Sequence, residues 1–307
     1  MYDLQRLRAL RELKHRGTLA EVARALAYTP SAISQQLAHL EAEVGVPLLE
    51  PVGRRVRLTP QAEILVAHTE IVLRELELAE AHVAASLTRL EGALHVAAFQ
   101  SAVLTIVPEA MLIMHRDHPE LHVHVTQMEP EHALPGLLAR DFDIVVGQEY
   151  PGVPGRRPAG VHVVDLLDDP LHLAVPAEAP RSSENVLSDL AHLPWAMESA
   201  GTAARRSAFI MCRAAGFEPD VRFESSDVLV HLRLVEMGLA VAIVPGLVGR
   251  ERMRAVALHP PPTGPCSRRV FTAVRDGREH HPAIREFRSA LRQVSGEGPL
   301  TGRAAPA

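Results

Sequence analysis

The feature that most constrains the fold of this chain of 307 residues is a long pattern that begins at Thr59. Pro60 suits the first position of a helix, and neither glycine nor proline occurs again before Gly92. Apolar residues recur there with a seven-residue period, at Ile64, Ile71, Leu78 and Ala85, with Leu65, Val72, Leu76 and Val83 between them. The pattern predicts one linker helix over residues 59–91.

This predicted helix divides the chain into a small N-terminal unit, residues 1–58, and a large C-terminal one. A helix of this length has no room to bury its apolar stripe on so small a unit. We therefore expect it to pack against the same helix of a second copy, which gives a homodimer and leaves a homotetramer open. A long helix within one chain, with no partner, is the alternative.

Three shorter helices are predicted in the N-terminal unit. Their capping residues are Asp3, Thr18 and Thr29, and Gly17 and Gly45 end the first and the third helix. Two short helices, a tight turn and a third helix with small polar residues at its start are typical of a helix-turn-helix, whose last helix enters the major groove of DNA.

The predicted DNA contacts lie in two places. Glutamine pairs bidentately with adenine, and serine reaches base edges or phosphates, so the start of the third helix is one site. After it, residues 53–58 indicate a tight turn and a strand, hence a two-stranded wing whose arginines hold phosphates or enter the minor groove. Helix capping and a solvated hairpin are the alternatives. The predicted contacts are Thr29, Ser31, Ser34, Gln35, Arg54, Arg55 and Arg57.

Charge supports double-stranded DNA as the partner of this unit only. The chain carries a net charge of −5. Residues 1–58 hold nine basic and six acidic residues, a net charge of +3, while the remainder carries −8. A basic head on an acidic body fits a polyanion bound by the head.

Residues 2–60 resemble the DNA-binding domain of LysR-type transcriptional regulators. The resemblance rests on the alanine-rich second helix, the Ser-Ala-Ile-Ser-Gln-Gln start of the third, the Gly-Val-Pro-Leu-Leu stretch, the basic wing and Leu-Thr-Pro. It implies a dimer that reads a pseudo-palindromic site through a linker helix. Two positions depart from the family pattern: Pro30 replaces a glutamine that often reads bases, and Glu63 replaces a common glycine.

From Ala93 strands alternate with helices, which predicts a parallel-rich sheet with helices on both faces. The pattern occurs twice, so we expect two lobes: lobe I over about 92–165 and 268–296, and lobe II over about 166–267. Residues 161–176 are interpreted as two strands around a turn. The predicted class is α/β overall, with a winged helix-turn-helix head and a two-lobed, periplasmic-binding-protein-like effector domain, as the family resemblance also implies.

In such folds a ligand lies in the crevice at the carboxyl ends of the strands. We expect Ser101 to cap the helix after the first strand and to leave free N–H groups for an anion. Helix capping alone is the alternative for each serine and threonine. The predicted contacts to a small-molecule effector are Ser101, Ala102, Gln127, Gln148, Thr202, Ser225 and Pro245.

Other classes of function are disfavoured by the sequence. The chain has no run of 18 apolar residues and no signal peptide, so we expect a cytoplasmic protein without a membrane partner. Nucleophile, cofactor and metal motifs are absent, which predicts no enzyme, no cofactor and no metal site. Cys212 and Cys266 are interpreted as ordinary thiols, and 297–307 as a disordered tail. A solute-binding or enzymatic module with an accessory DNA-binding head is the alternative.

Overall fold

The structure, a computed structural model, describes residues 2–52, 55–87, 89–153, 155, 158–177, 190–249 and 252–296. The predicted tail and Arg54 lie outside these residues. None of the helices described is long and apolar enough to cross a membrane.

The head contains the three predicted helices and a two-stranded wing. Its elements are α1 Leu4–Arg16, α2 Leu19–Ala25, α3 Pro30–Val44, β1 Leu49–Val52 and β2 Arg55–Leu58. The caps are confirmed: Asp3 accepts from the amides of Gln5 and Arg6, Thr18 from Glu21, and Thr29 from Ala32. In the wing, Leu49 lies opposite Leu58 in an antiparallel pair.

A compact apolar core holds the head together. Leu10, Ile33 and Leu40 have no exposed surface, and Leu37 is 1% exposed. Ala62 and Val66, from the start of the next helix, belong to the same cluster. Burying one such leucine or isoleucine contributes about 1.5–3 kcal/mol, so these few side chains fix the angle at which α3 is presented.

The linker helix α4 spans Pro60–Ala85, with Thr59 as its cap. It ends six residues before the predicted Glu91. The Ser86 hydroxyl donates to the Val83 carbonyl at 2.7 Å, and such side-chain bonds compete with helix continuation. The apolar stripe is left open in the single chain, with exposures of 63% at Ile64, 48% at Ile71 and 67% at Val83.

Lobe I is a mixed sheet covered on both faces by helices. Its elements are β3 Gly92–Ala98, α5 Gln100–Val103, α6 Ile106–Asp117, β4 Leu121–Gln127, α7 Pro130–Ala139, β5 Ile144–Glu149, β6 Val161–Pro176, β11 Ser267–Arg275 and α10 Pro282–Gly296. β3 lies between β4 and β5 and pairs parallel with both; β5 then pairs with antiparallel β11, which pairs in turn with the first part of β6. α6 and α10 cover one face, and α7 covers the other.

Lobe II is built on the second part of β6. Its elements are β7 Pro194–Met197, α8 Ala203–Ala214, β8 Asp220–Glu224, α9 Val228–Glu236, β9 Ala242–Pro245 and β10 Val256–His259. β9 and β10 pair with β6 on either side, and the parallel pair of β7 and β8 joins through a bridge between Trp195 and Val241. Trp195 is fully buried and donates its indole N–H to the Leu190 carbonyl.

The prediction of two strands and a turn over residues 161–176 is wrong, because β6 is one strand of 16 residues. It pairs with β11 as far as Pro170 and then with β9 and β10 from Leu171 onward. Pro170 is tolerated because its ring lies where the strand changes partners, and proline lacks only the amide donor of a ladder. The crossing between lobes therefore lies at 170–171, about five residues later than predicted.

Candidate DNA-binding surface and interlobe cleft

The start of α3 presents the predicted polar side chains to solvent. Ser31, Ser34 and Gln35 are exposed there, next to the exposed Thr29. The Thr29 hydroxyl accepts from the Ala32 amide at 3.2 Å and lies 3.0 Å from the Ser31 hydroxyl. The cap engages Thr29, whereas Ser34 and Gln35 lie about one turn further along on the exposed surface of α3.

Within the described part of the chain, the wing presents the side chain of Arg57 to solvent. Arg57 is exposed, and its Nε donates to Glu50 Oε1 at 2.7 Å. The side chain of Arg55 lies outside the described part of the chain. Since the Arg57–Glu50 pair is exposed, it is weak, and a DNA phosphate can replace the carboxylate at little cost.

The two departures from the family pattern occupy defined places. Pro30 is the first residue of α3, directly after the cap, and it is exposed. Glu63 lies in the first turn of α4, and its carboxylate pairs with Lys14 at 2.6 Å. That contact ties α1 to the linker helix where a glycine offers no side chain.

Between the two lobes lies a cavity that we call the interlobe cleft, with about 640 Å³ of space including its mouth. Arg268, at the start of β11, is only 2% exposed and sits in its lobe I wall. It lies directly opposite Asp169 in the β6–β11 pair, and its Nε donates to Asp169 Oδ2 at 2.8 Å.

Every nitrogen of the Arg268 guanidinium has a partner. One Nη donates to Ser101 Oγ at 2.6 Å, and the other to Tyr150 Oη at 3.0 Å and to Gln148 Oε1. The guanidinium also stacks over the Phe99 ring at 4.8 Å. A buried charge with this many partners is held in one orientation. Asp169 neutralises it, so the cleft gains no net positive charge from it.

Two further carboxyl groups line the cleft. Glu129 accepts from the Gln148 amide at 2.8 Å, and burial raises its pKa. Burial, and then the nearby Glu129, raise the pKa of Glu198 to about 8. Among the described residues no group donates to the Glu198 carboxyl. The cleft therefore holds two carboxyl groups that form no ion pair within the described part of the chain.

Hydrogen bonds hold the two lobes together across the cleft. The Gln100 amide donates to Asp227 Oδ1 at 2.7 Å, and Gln100 Oε1 accepts from the Val228 amide at 2.9 Å. The Ser207 hydroxyl donates to the Pro151 carbonyl at 2.7 Å. These contacts join α5 to α9 and α8 to lobe I, so the structure shows a closed arrangement of the lobes.

The structure corrects the predicted role of Ser101 as a cap. Phe99 is the N-cap of α5, and the Ser101 hydroxyl instead accepts from Arg268. The amide of Ala102 bonds to the Phe99 carbonyl at 3.1 Å. A guanidinium occupies the place predicted for an anion, because Arg268 reaches it from β11.

The remaining predicted effector contacts divide into two groups. Gln148 and Pro245 line the cleft together with Ser101. Four others do not line it: Ala102 is buried in the lobe I core, Gln127 is exposed at the end of β4, Thr202 caps α8, and Ser225 accepts from the Asp227 amide.

Sequence reasoning missed the charged groups of the cleft. Arg268 lies in β11, most of which is buried, and Asp169 occupies a buried position of β6; a charged residue at a buried strand position indicates a pair. The sequence therefore contained a signal for the Arg268–Asp169 pair. The approach of Glu198 and Glu129, which come from different lobes, has no local signature in the sequence.

Family models decide the affiliation of the chain. Residues 4–63 match the model described as "Bacterial regulatory helix-turn-helix protein, lysR family", and residues 88–296 match the "LysR substrate binding domain". The second match alone covers more than half of the chain. The chain belongs to the LysR family of transcriptional regulators. It is thus a DNA-binding transcriptional regulator with an effector-binding domain, as the resemblance implied.

Individual relatives agree with this affiliation. The DNA-binding transcriptional dual regulator OxyR of Escherichia coli K12 is 26% identical over 94% of each chain. A hydrogen peroxide-inducible genes activator of Pectobacterium carotovorum is 26% identical over 89% of this chain and 88% of the relative.

Solved structures confirm the fold. A full-length OxyR variant from Pseudomonas aeruginosa superposes with a TM-score of 0.61 at 20% identity, covering 100% of this chain and 99% of that one. Full-length CbnR complexed with its target DNA gives 0.52 at 21% identity, over 95% and 99% of the two chains. The α/β class, the winged head and the two lobes are those of LysR regulators.

Proposed function

We propose that this LysR-family regulator reads DNA with Ser31, Ser34 and Gln35 and holds the phosphate backbone with the wing arginines and Thr29. The accessibility of these side chains at the start of α3 supports this assignment. The positions of Ser34 and Gln35 suit base edges, whereas Arg57 suits a phosphate.

The regulator acts as a homo-oligomer joined through α4. The exposed apolar residues of this helix support the assignment, because Ile64, Ile71 and Val83 form a stripe that the described residues of the single chain leave uncovered. Two heads held in this way address the two halves of a pseudo-palindromic site.

The effector is a small molecule that carries a protonated amine and binds in the interlobe cleft. The single observation behind this proposal is that Glu129 and Glu198 line the cleft without an ion pair among the described residues. The two arginines that also line it pair elsewhere, Arg205 with Glu224 and Arg268 with Asp169. A bound ammonium group donates hydrogen bonds to both carboxyl groups and favours their ionised forms. Because the amine binds the closed arrangement of the lobes more tightly than an open one, it shifts the equilibrium toward the closed arrangement.

Thiol oxidation is not the signal to which this chain responds. Hydrogen peroxide appears in the names of several relatives, but sensing by cysteine requires an accessible thiolate. Cys212 is fully buried, and burial, with Glu218, raises its pKa to about 12. Burial also raises the pKa of Cys266. Both shifts favour the protonated thiol, the less reactive form, at neutral pH.

The cleft binds its ligand without transforming it. The two serines that line the cleft are engaged by neighbours: Ser101 accepts from Arg268, and Ser207 donates to the Pro151 carbonyl. His231, the histidine of the cleft, contacts the Ser225 carbonyl through Nε2 at 2.9 Å, and neither serine has a general base beside it within the described residues.

A thermal-shift panel on the full-length protein tests the effector class. The probes are putrescine, agmatine and benzylamine, with succinate and benzoate as matched acids. We expect stabilisation by at least one amine and by neither acid, and we expect Glu198→Gln to abolish it. Glu218→Gln, an exposed carboxylate of lobe II, is the control and retains the response. Stabilisation by the acids alone, or an unchanged response in Glu198→Gln, contradicts the proposal.

A further inference from the structure

A second cavity lies where the head, the linker helix and lobe I meet. The head docks on lobe I through two arginines of α1: Arg8 Nη2 donates to the Ala139 carbonyl at 3.1 Å, and Arg16 Nη2 to the Pro135 carbonyl at 3.2 Å. Beside these contacts a space of about 780 Å³ opens between α1, α4 and lobe I. We call it the junction pocket.

Positive charge exceeds negative charge around the junction pocket. Its charged lining residues comprise the carboxylates Glu70, Glu77 and Asp276 and the arginines Arg8, Arg11, Arg74, Arg140 and Arg275. Two of these carboxylates already have basic partners. Glu77 Oε1 pairs with Arg140 at 2.9 Å and with Arg275 at 2.7 Å. Glu70 contacts His15 at 3.2 Å.

Arg11 is a buried member of the pocket whose guanidinium is only partly satisfied. It is 6% exposed, and its Nη1 donates to Glu12 Oε1 at 2.8 Å. Its buried Nε has no hydrogen-bond partner among the described residues. Glu12 also accepts from Arg16 Nε at 2.7 Å, so one carboxylate serves two guanidinium groups. A buried donor without an acceptor is costly, which indicates an acceptor supplied from outside the chain.

Arg8 also lacks a negatively charged partner among the described residues. Its guanidinium donates to a neutral carbonyl, that of Ala139, and no carboxylate of the described residues forms an ion pair with it. Burial, and then the nearby Arg140, lower the pKa of Arg8. Arg8 and Arg11 therefore line the pocket with guanidinium groups that can donate further hydrogen bonds to an anion.

We propose that the junction pocket binds a tetrahedral oxyanion of the phosphate type, either free phosphate or the phosphate group of a small metabolite, through Arg8 and Arg11. The planar forks of guanidinium groups match the oxygens of such an anion and donate to several of them at once. The site is separate from the interlobe cleft and from the DNA-binding surface.

An anion bound in the junction pocket lies between the head and lobe I. Arg8 and Arg11 belong to the head, whereas Arg140 and Arg275 belong to lobe I. An anion shared between them adds attraction across the docking contact and relieves the repulsion among the arginines. Binding therefore favours the arrangement in which the head is docked on the body.

Calorimetric titration of the full-length protein tests the proposal. Sodium phosphate is added at constant ionic strength, with sodium chloride as the balancing salt. We expect saturable binding of one phosphate per chain. Arg8→Gln lowers the affinity by about tenfold or more, the scale of a charge-assisted hydrogen bond, and Arg8→Lys lowers it less. Glycerol 3-phosphate is titrated in parallel; tighter binding than phosphate indicates a phosphorylated metabolite, and weaker binding indicates the free ion.

Two control variants show whether the loss of affinity is specific to the junction pocket. Arg6→Gln removes an arginine of the same helix that pairs with Glu43, and Arg116→Gln removes an exposed arginine of lobe I that pairs with Asp117. Both are expected to bind phosphate within about twofold of the unmodified chain, since neither side chain lines the pocket. Circular dichroism melts verify that every variant is folded. The proposal is overturned if neither phosphate nor glycerol 3-phosphate binds saturably, if Arg8→Gln binds with unchanged affinity, or if Arg116→Gln loses binding.

Discussion

The side chains proposed to contact DNA lie between Thr29 and Arg57 on the surface of the head, whereas those of the interlobe cleft come together from distant parts of the chain and are largely buried. Ser101 and Arg268, which share a hydrogen bond, are separated by 167 positions. The DNA-binding surface is a local pattern placed on a small core of its own. The cleft is a product of tertiary structure, in which each polar group depends on its neighbours.

This difference has an energetic side. An exposed pair such as Arg57–Glu50 contributes about 0–1 kcal/mol, so the wing can exchange its partner for DNA. The Arg268–Asp169 pair, with each side chain 2% exposed, does not exchange with solvent in this way. The head is therefore suited to reversible contact, and the buried pair to holding the cleft in one shape.

The largest effect that tests this contrast is expected from Arg268→Ala. It leaves Asp169 buried without its cation, and we expect the free energy of unfolding to fall by about 3–5 kcal/mol. Arg269→Ala is the matched control: the neighbouring arginine is 43% exposed and pairs with Glu149, so its loss costs about 0–1 kcal/mol. Urea denaturation measures both. Equal losses of unfolding free energy in the two variants contradict the contrast between the buried and the exposed ion pair.

A pH dependence of stability is the next largest effect. The pKa of Glu198, about 8 when folded, lies above its usual value of 4.5, so the folded state binds the extra proton. Its contribution to stability is therefore full below the lower value and declines as the pH rises toward 8. We expect a decline smaller than the roughly 1.4 kcal/mol per pH unit of complete linkage, because the group retains solvent access. Glu198→Gln flattens this part of the profile in thermal melts from about pH 5 to about pH 8.5, while Glu218→Gln preserves it.

The smallest effect is expected in the wing. Arg57→Gln removes one phosphate contact, which lowers affinity for every DNA sequence and reduces the salt slope by about 0.9 per contact. Fluorescence anisotropy with specific and unrelated duplexes at several salt concentrations measures this. A change confined to the specific duplex instead assigns Arg57 to base recognition.

The same contrast explains what could be predicted from the sequence. Caps, glycine stops and helical spacing are local, so the head elements and their surface residues were predictable, including Thr29 and Gln35. Ser101 was located in the cleft but assigned the wrong role, because the arginine that reaches it lies on another strand. The single strand β6 was missed because Pro170 in its middle imitates a turn, and its change of partners is visible only in the sheet.

The measurement that tests the account most directly is a binding titration of the full-length protein with the DNA upstream of its own gene, in the presence of unrelated competitor DNA. We predict a sequence-specific complex whose affinity falls with salt. Gln35→Ala is expected to weaken discrimination by about 1–3 kcal/mol, the value of one bidentate base contact, with little loss of non-specific affinity. An equal loss on specific and unrelated DNA, or no specific complex at moderate salt, contradicts the account.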